Sequence, residues 1–470
     1  MASSRQIRFA KYLVIGVEVL LLAYLIATED LAPSAGLLLG AAVAIATLVM
    51  GTLDWPIGAL SVVVVGSVMP RFKGTLAGLH VRPEHVVIGL ISAFVAIRVL
   101  RGGMRLALQW RRYDYLLLVY IFLNFFTSAV TSPEPRMTLR WAVMNAIVIA
   151  PYFLFRLLVQ SERVFQRMFD GMLWVGAAES GYGILCFLSN RIFATEFGME
   201  MNQYGSIPGT YGTHYEPNLF GSYSACCAIM FLVLFLLGER SRWHGFGFLI
   251  TVLGAAVSLS RAVILALPVV ALVVVVIALK RRRFQLRRFV PLAAAVALVL
   301  LLVSPFLVGL LRERFSTIDL DLTELASDET TAGRLVQMAV AVQNIQAHPL
   351  LGTGTASFQL LFNWQDYMGE DLGGWVGNTP LRILHDTGII GLSAFLLFVG
   401  SLLLTARRVI RVALPKTRVA LIALSTGLLL YAITFQSCEA SLLAFTWVHF
   451  GLLAAGVATC QSRYSALLQA

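Results

Sequence analysis

The sequence predicts an all-α, polytopic integral membrane protein with about 12–14 transmembrane helices and one long loop on the outer face. Of its 470 residues, 58% are hydrophobic and only 13% are charged, and the mean hydropathy is +0.80. A soluble domain of this size needs far more polar surface. Several apolar runs reach about 20 residues, the length a helix needs to cross about 30 Å of hydrocarbon. Such continuous runs exclude a closed β-barrel, whose strands alternate apolar and polar residues. Lys and Arg outnumber Asp and Glu by 36 to 25, but the cations collect in short connections between spans. That pattern belongs to membrane topology and not to a nucleic-acid surface.

Taken in order, the N-terminal apolar run follows Arg5, Arg8 and Lys11 without a small-residue cleavage site and reads as the first membrane helix. Expected spans cover 12–28, 32–51, 57–69, 85–100, 114–130, 138–158, 169–188, 217–237, 245–260, 262–279, 289–311, 378–405, 419–437 and 441–459. Three basic connections (Arg101 to Arg112, Lys280 to Arg288, Arg407 to Arg418) then share one side with both termini, and that side is cytoplasmic. The 70–84 connection breaks the rule, because it carries Arg71, Lys73 and Arg82 to the outer face; a twelve-span arrangement there is the alternative. Two outer connections are long, 189–216 and 312–377, and the second holds nine acidic residues against three arginines. Within it Asp319–Thr331 is polar enough for a mobile loop, while Gly333–His348 has helical periodicity suited to the membrane surface. The five cysteines lack C-x-x-C spacing, which predicts neither a disulfide nor a metal site. No internal repeat is visible, which weakens a secondary-transporter reading.

Polar residues in or beside the spans are the functional candidates. Arg261 follows Ser258-Leu-Ser at a turn between two spans, where it is either a snorkelling anchor or a clamp for an anion. Arg334 follows Thr330, Thr331 and Gly333 at a helix start, as a second phosphate ligand or an ion-pair partner of Asp328 or Glu329. His348-Pro349 through Gly352-Thr-Gly354 reads as a tight turn, not as a nucleotide loop, since no strand precedes it. Asn378 or Thr379 caps the span opened by Pro380, and Asn378, Arg382 and His385 share a face with Asp386 beside them. The bland alternative is an internal Arg382–Asp386 pair. His214 and Glu216 meet the membrane just before Pro217, as a base or acceptor-binding group or as capping residues together with Asn218. Glu18, Glu179 and Glu439 read as buried hydrogen-bonding groups.

In order, Glu216-Pro-Asn218 with Gly221, Ser258-Leu-Ser-Arg261, Gly333-Arg334 followed by His348-Pro and Gly352-Thr-Gly354, and Asn378 through Leu381 to Gly388-Ile-Ile-Gly391 make the chain resemble the O-antigen ligase/polymerase superfamily of bacterial membrane glycan transferases. The resemblance covers roughly 205–395. It divides the chain into N-terminal transmembrane helices (1–188), a ligase/polymerase-like core with periplasmic loops 189–216 and 312–377 (189–405), and C-terminal helices (406–470). It implies an inner-membrane glycosyltransferase, independent of nucleotide and metal and without a cofactor. Such an enzyme takes a glycan from undecaprenyl diphosphate and joins it to a glycan or lipid acceptor hydroxyl at the periplasmic face. Arg261 and Arg334, with Asn378 and Arg382, would hold the diphosphate. The ligase branch carries a histidine where this chain has Gly377, so the base is sought among His385, Asp386, His214 and Glu216, with His385 favoured. A repeat-unit polymerase uses the same residues. A lipid-linked glycan flippase and a non-catalytic scaffold are the readings of another class.

Overall fold

The computed structural model describes residues 55–71, 74–76, 79–101, 108–200, 208–238, 242–281, 329–362 and 374–469. The expected spans 12–28, 32–51 and 289–311, the loop 319–328, Glu18 and Lys73 lie outside the described residues. Each of the other eleven expected spans is helical: α1 (Trp55–Ser67), α2 (Pro83–Leu100), α3 (Arg112–Val130), α4 (Pro135–Leu158), α5 (Glu162–Phe193), α6 (Pro217–Leu237), α7 (Arg242–Val257), α8 (Arg261–Lys280), α11 (Thr379–Val409), α12 (Pro415–Thr434) and α13 (Ala444–Gln469). Two further helices, α9 (Glu329–Ala347) and the single turn α10 (Phe358–Leu361), lie in the long loop. Eight of the described helices are long and apolar enough to cross a membrane, and the chain is an all-α, multi-pass membrane protein.

Local chemistry sets the helix starts. Proline occupies the first turn of α2, α4, α6, α11 and α12, where its missing N–H costs nothing and its φ is already helical. At α11 the cap is Asn378, whose side-chain oxygen accepts from Leu381 N at 2.8 Å.

The helix at the centre is α6, 94% buried along its apolar window, whereas α8 and α11 are only 28% buried and face outward. It packs against α5, α7, α8 and α12, while α13 lies on α4 and α5, and α11 on α3. Without a hydrophobic drive between helices in lipid, close approach requires small side chains at the contacts. Gly183 accordingly admits Phe220 of α6, and Gly254 of α7 admits Ser180 of α5; a β-carbon on either glycine would overlap its neighbour.

The basic turns at Arg111–Arg112, Lys280 and Arg407–Lys416 lie at one end of the helices, and α4, α6, α8 and α11 all begin at the other. At this second end the 70–84 connection is not a bare loop. It forms an antiparallel hairpin, β1 (Gly74–Leu76) with β2 (Leu79–Val81). Its arginines are engaged by protein: Arg71 lies 4.1 Å over the Tyr211 ring, and buried Arg82 pairs with Glu84 at 2.8 Å and donates to Leu442 O at 2.7 Å. Neither of these two arginines is therefore a free loop charge. A second small hairpin pairs β3 (Met199–Glu200) with β4 (Gly209–Thr210).

Candidate active site

The first turns of α11 are stitched to the segment that joins α12 to α13. Thr379 N donates to Phe435 O at 2.9 Å and Thr379 Oγ1 to Cys438 O at 2.8 Å. Asn378 Nδ2 donates to Gln436 O at 3.0 Å. These bonds bring Glu439 to Arg382: Nη1 lies 2.6 Å from Glu439 Oε2, and Nε lies 3.4 Å from Asp386 Oδ2. Ser441 holds the other Glu439 oxygen through its N–H and hydroxyl. The i, i+4 pair of Arg382 with Asp386 thus forms, but within a three-residue network whose third member is 57 positions from Arg382 by numbering.

The helix α11 is not continuous. Gly388 has φ 63 and ψ −172, and the turn after α9 enters the break. Ile389 N donates to Pro349 O, while Thr353 N and Gly354 N donate to the His385 and Asp386 carbonyls, all at 2.9 Å. Gly352 (φ 70) and Gly354 (φ 94) adopt the left-handed backbone this approach requires. Thr355 anchors the same turn in α3, bonding Asn124 Oδ1 at 3.0 Å, and Asp386 Oδ2 accepts from Ala356 N at 2.9 Å. Irregular backbone at this depth persists because protein satisfies its polar groups. His385 is enclosed by that turn. It is fully buried, its Nδ1 is 3.1 Å from Asp386 Oδ1 and 3.3 Å from Thr353 Oγ1, and its Nε2 is 3.3 Å from Asn344 Nδ2.

Glu216 stands at the N-cap of α6, half-buried. Loss of water around it pushes its carboxyl up to about 7, with the Arg334 guanidinium opposing that rise and Glu200 and Glu439 adding to it. Arg334 lies in α9, half-buried, and is close enough to act on both Glu216 and Cys438. At the second residue of α6, Asn218 Oδ1 accepts from Ser260 Oγ at 2.7 Å. That bond sets Arg261, the first residue of α8, beside the start of α6.

With that geometry in view, residues 246–396 match the family profile described as O-Antigen ligase. Over that stretch the chain is similar to the O-antigen ligase family. No curated protein matches it. The ligase-family match takes in Arg261, Arg334, Arg382, His385 and Asp386, and leaves Glu216 and Glu439 outside it.

Of the predicted residues, Arg382 and Asp386 connect directly and Arg382 pairs with Glu439, Asn378 caps the same helix, and Glu216 and Arg334 lie within electrostatic reach of one another. His214 does not join them. It is fully buried, 3.4 Å from Glu179 and ringed by Phe220, Tyr223 and Phe445. His348 is exposed after the last residue of α9. Sequence reading missed Glu439 as a partner of Arg382; the available signal was an acidic residue between two apolar spans, with nothing local to pair it.

Proposed function

We propose that the chain is an O-antigen ligase-like glycosyltransferase. It moves an oligo- or polysaccharide from undecaprenyl diphosphate to an acceptor hydroxyl at the outer face of the bacterial inner membrane, with both termini cytoplasmic. The carrying observation is that Glu216, whose carboxyl is held near neutrality, shares its surroundings with Arg334 and with the Glu439 that pairs with Arg382. Arg334 and Arg382, with Arg261 and the amide-rich start of α11 at Asn378, supply fixed positive charge where a diphosphate gathers negative charge as it leaves. Glu216 accepts the proton of the acceptor hydroxyl. The acceptor oxygen bonds to the anomeric carbon, the bond from that carbon to the diphosphate oxygen breaks, and its electron pair departs with the lipid diphosphate.

The enclosure of His385 supports a different role from the one the sequence favours: with Asp386 it braces the turn and orients Arg382. His214 is left to packing.

The test is complementation of a deletion strain with wild type, Arg334→Ala, Arg261→Ala or Glu216→Gln at equal membrane abundance. Surface polysaccharide is read by gel and carrier-linked glycan by extraction. The reading expects each variant to lose polysaccharide and accumulate carrier-linked glycan. Chain length separates joining a finished chain to a lipid core from extending it by repeat units. Full complementation by the arginine variants would overturn the assignment in favour of transport or scaffolding.

A further inference from the structure

Resting on the transferase reading, we infer that Trp375, with Trp141 beside it, is a stacking platform for the sugar ring nearest the diphosphate. Trp375 is 38% exposed, yet it is held firmly on both sides. Val376 is buried in a cluster with Ala341, Phe358 and Phe362, and Gly374 lies so close to Phe362 that a β-carbon there would overlap the ring. Trp141 of α4 meets it edge to face, ring centroids 5.6 Å apart. The Arg382 guanidinium lies 5.2 Å from the Trp375 ring centroid.

This arginine is 2% exposed. Its Nη1 lies 2.6 Å from Glu439 Oε2 as an ion pair, and neither Nη1 nor Nη2 makes an aligned hydrogen bond among the described residues. A buried guanidinium nitrogen left without an acceptor is costly unless a ligand supplies one. Five residues before Arg382 in the chain, the α-carbon of Gly377 faces open space, with nothing within 4 Å of where a β-carbon would stand. A buried cationic donor and an indole surface thus adjoin one another, with open space at the start of the same helix. A sugar 1-diphosphate matches them part for part: phosphate oxygen to Nη2, and the C–H face of a pyranose to the indole. The stack reads a C–H face that hexopyranoses share, so one hexose suffices as a probe. A phospholipid headgroup offers the phosphate without the ring. A tryptophan anchored only in the bilayer interface would need neither.

The experiment uses the full chain in nanodiscs and two probes: farnesyl diphosphate, and farnesyl diphosphate carrying one N-acetylglucosamine through its anomeric oxygen. The wild type binds the sugar-bearing lipid more tightly. Trp375→Ala weakens that lipid about tenfold and leaves farnesyl diphosphate unchanged. Trp375→Phe retains most of the preference, and Trp375→Leu, apolar but without a π face, behaves as Trp375→Ala. Equal affinity of the wild type for the two lipids, an equal loss for both lipids in Trp375→Ala, or wild-type behaviour of Trp375→Leu would overturn the platform while leaving the transferase reading intact. Binding of neither lipid by the wild type would overturn both.

Discussion

Removing the Asp386 carboxylate tests whether it braces the site or performs chemistry. One oxygen accepts from Ala356 N at 2.9 Å and lies 3.4 Å from Arg382 Nε; the other is 3.1 Å from His385 Nδ1. In Asp386→Ala the buried Ala356 N–H loses its acceptor, a cost of about 1–3 kcal/mol. Arg382 keeps Glu439 at 2.6 Å, so only part of the roughly 3–5 kcal/mol for an uncompensated buried charge is added. The total is about 2–5 kcal/mol. Asp386→Asn still presents an oxygen to Ala356 and loses about 1–2 kcal/mol through its charged partners. Thermal unfolding in detergent, followed by tryptophan fluorescence, is expected to rank wild type above Asp386→Asn and Asp386→Ala lowest, with Asp386→Asn retaining transfer. A Tm for Asp386→Ala indistinguishable from wild type would refute the bracing argument. An Asp386→Asn protein that melts like wild type but transfers nothing would move Asp386 into the chemistry.

Other expectations follow from the same geometry. Gly388→Ala places a β-carbon against the Leu350 carbonyl at a φ of 63 and should cost more than the about 1–2 kcal/mol of left-handed backbone alone, seen as loss of the monodisperse peak in size-exclusion chromatography. Gly377→His meets open space and should elute and melt as wild type. Because Glu216 titrates near 7 in the fold against an ordinary 4.5, its contribution to stability is fully present below about 4.5 and is lost as pH rises through about 7. Tm should therefore fall between about pH 5 and 8 in the wild type more than in Glu216→Gln, while kcat/KM rises through about 7 as the carboxyl ionises. At the opposite end of the bundle, Arg156→Ala leaves fully buried Asp114 with the Tyr152 hydroxyl at 2.6 Å but without its cation. About 3–5 kcal/mol should be lost, measurable as a lowered Tm with the residues around Arg382 untouched.

The break in α11 is what makes the site possible. A straight helix would bond its own carbonyls through Gly388; here the carbonyls of His385 and Asp386 are handed to Thr353 and Gly354, and the α9 side of the long loop is pinned against α11 and α3. On the same side Arg334 lies within electrostatic reach of Glu216, and the Arg382 guanidinium lies over the Trp375 ring.

The sequence by itself determined which of the described segments are membrane helices, since a bilayer leaves the backbone no other partner than its own turns, and apolar length is a local property. It also determined the proline starts, the Asn378 cap and the turn at Gly352 and Gly354, because these obey short-range sterics. Whether a polar side chain is open, enclosed or paired was decided only by tertiary structure. Arg382 and Asp386 are neighbours on a helix, and that pair was legible. The pairing of Arg382 with Glu439, the enclosure of His385 by Thr353 and Asn344 and the compensation of Arg82 by Leu442 join residues between 32 and 360 positions apart. In a low-dielectric interior the partner sets both the charge state and the accessibility of such a group, and no local pattern names that partner.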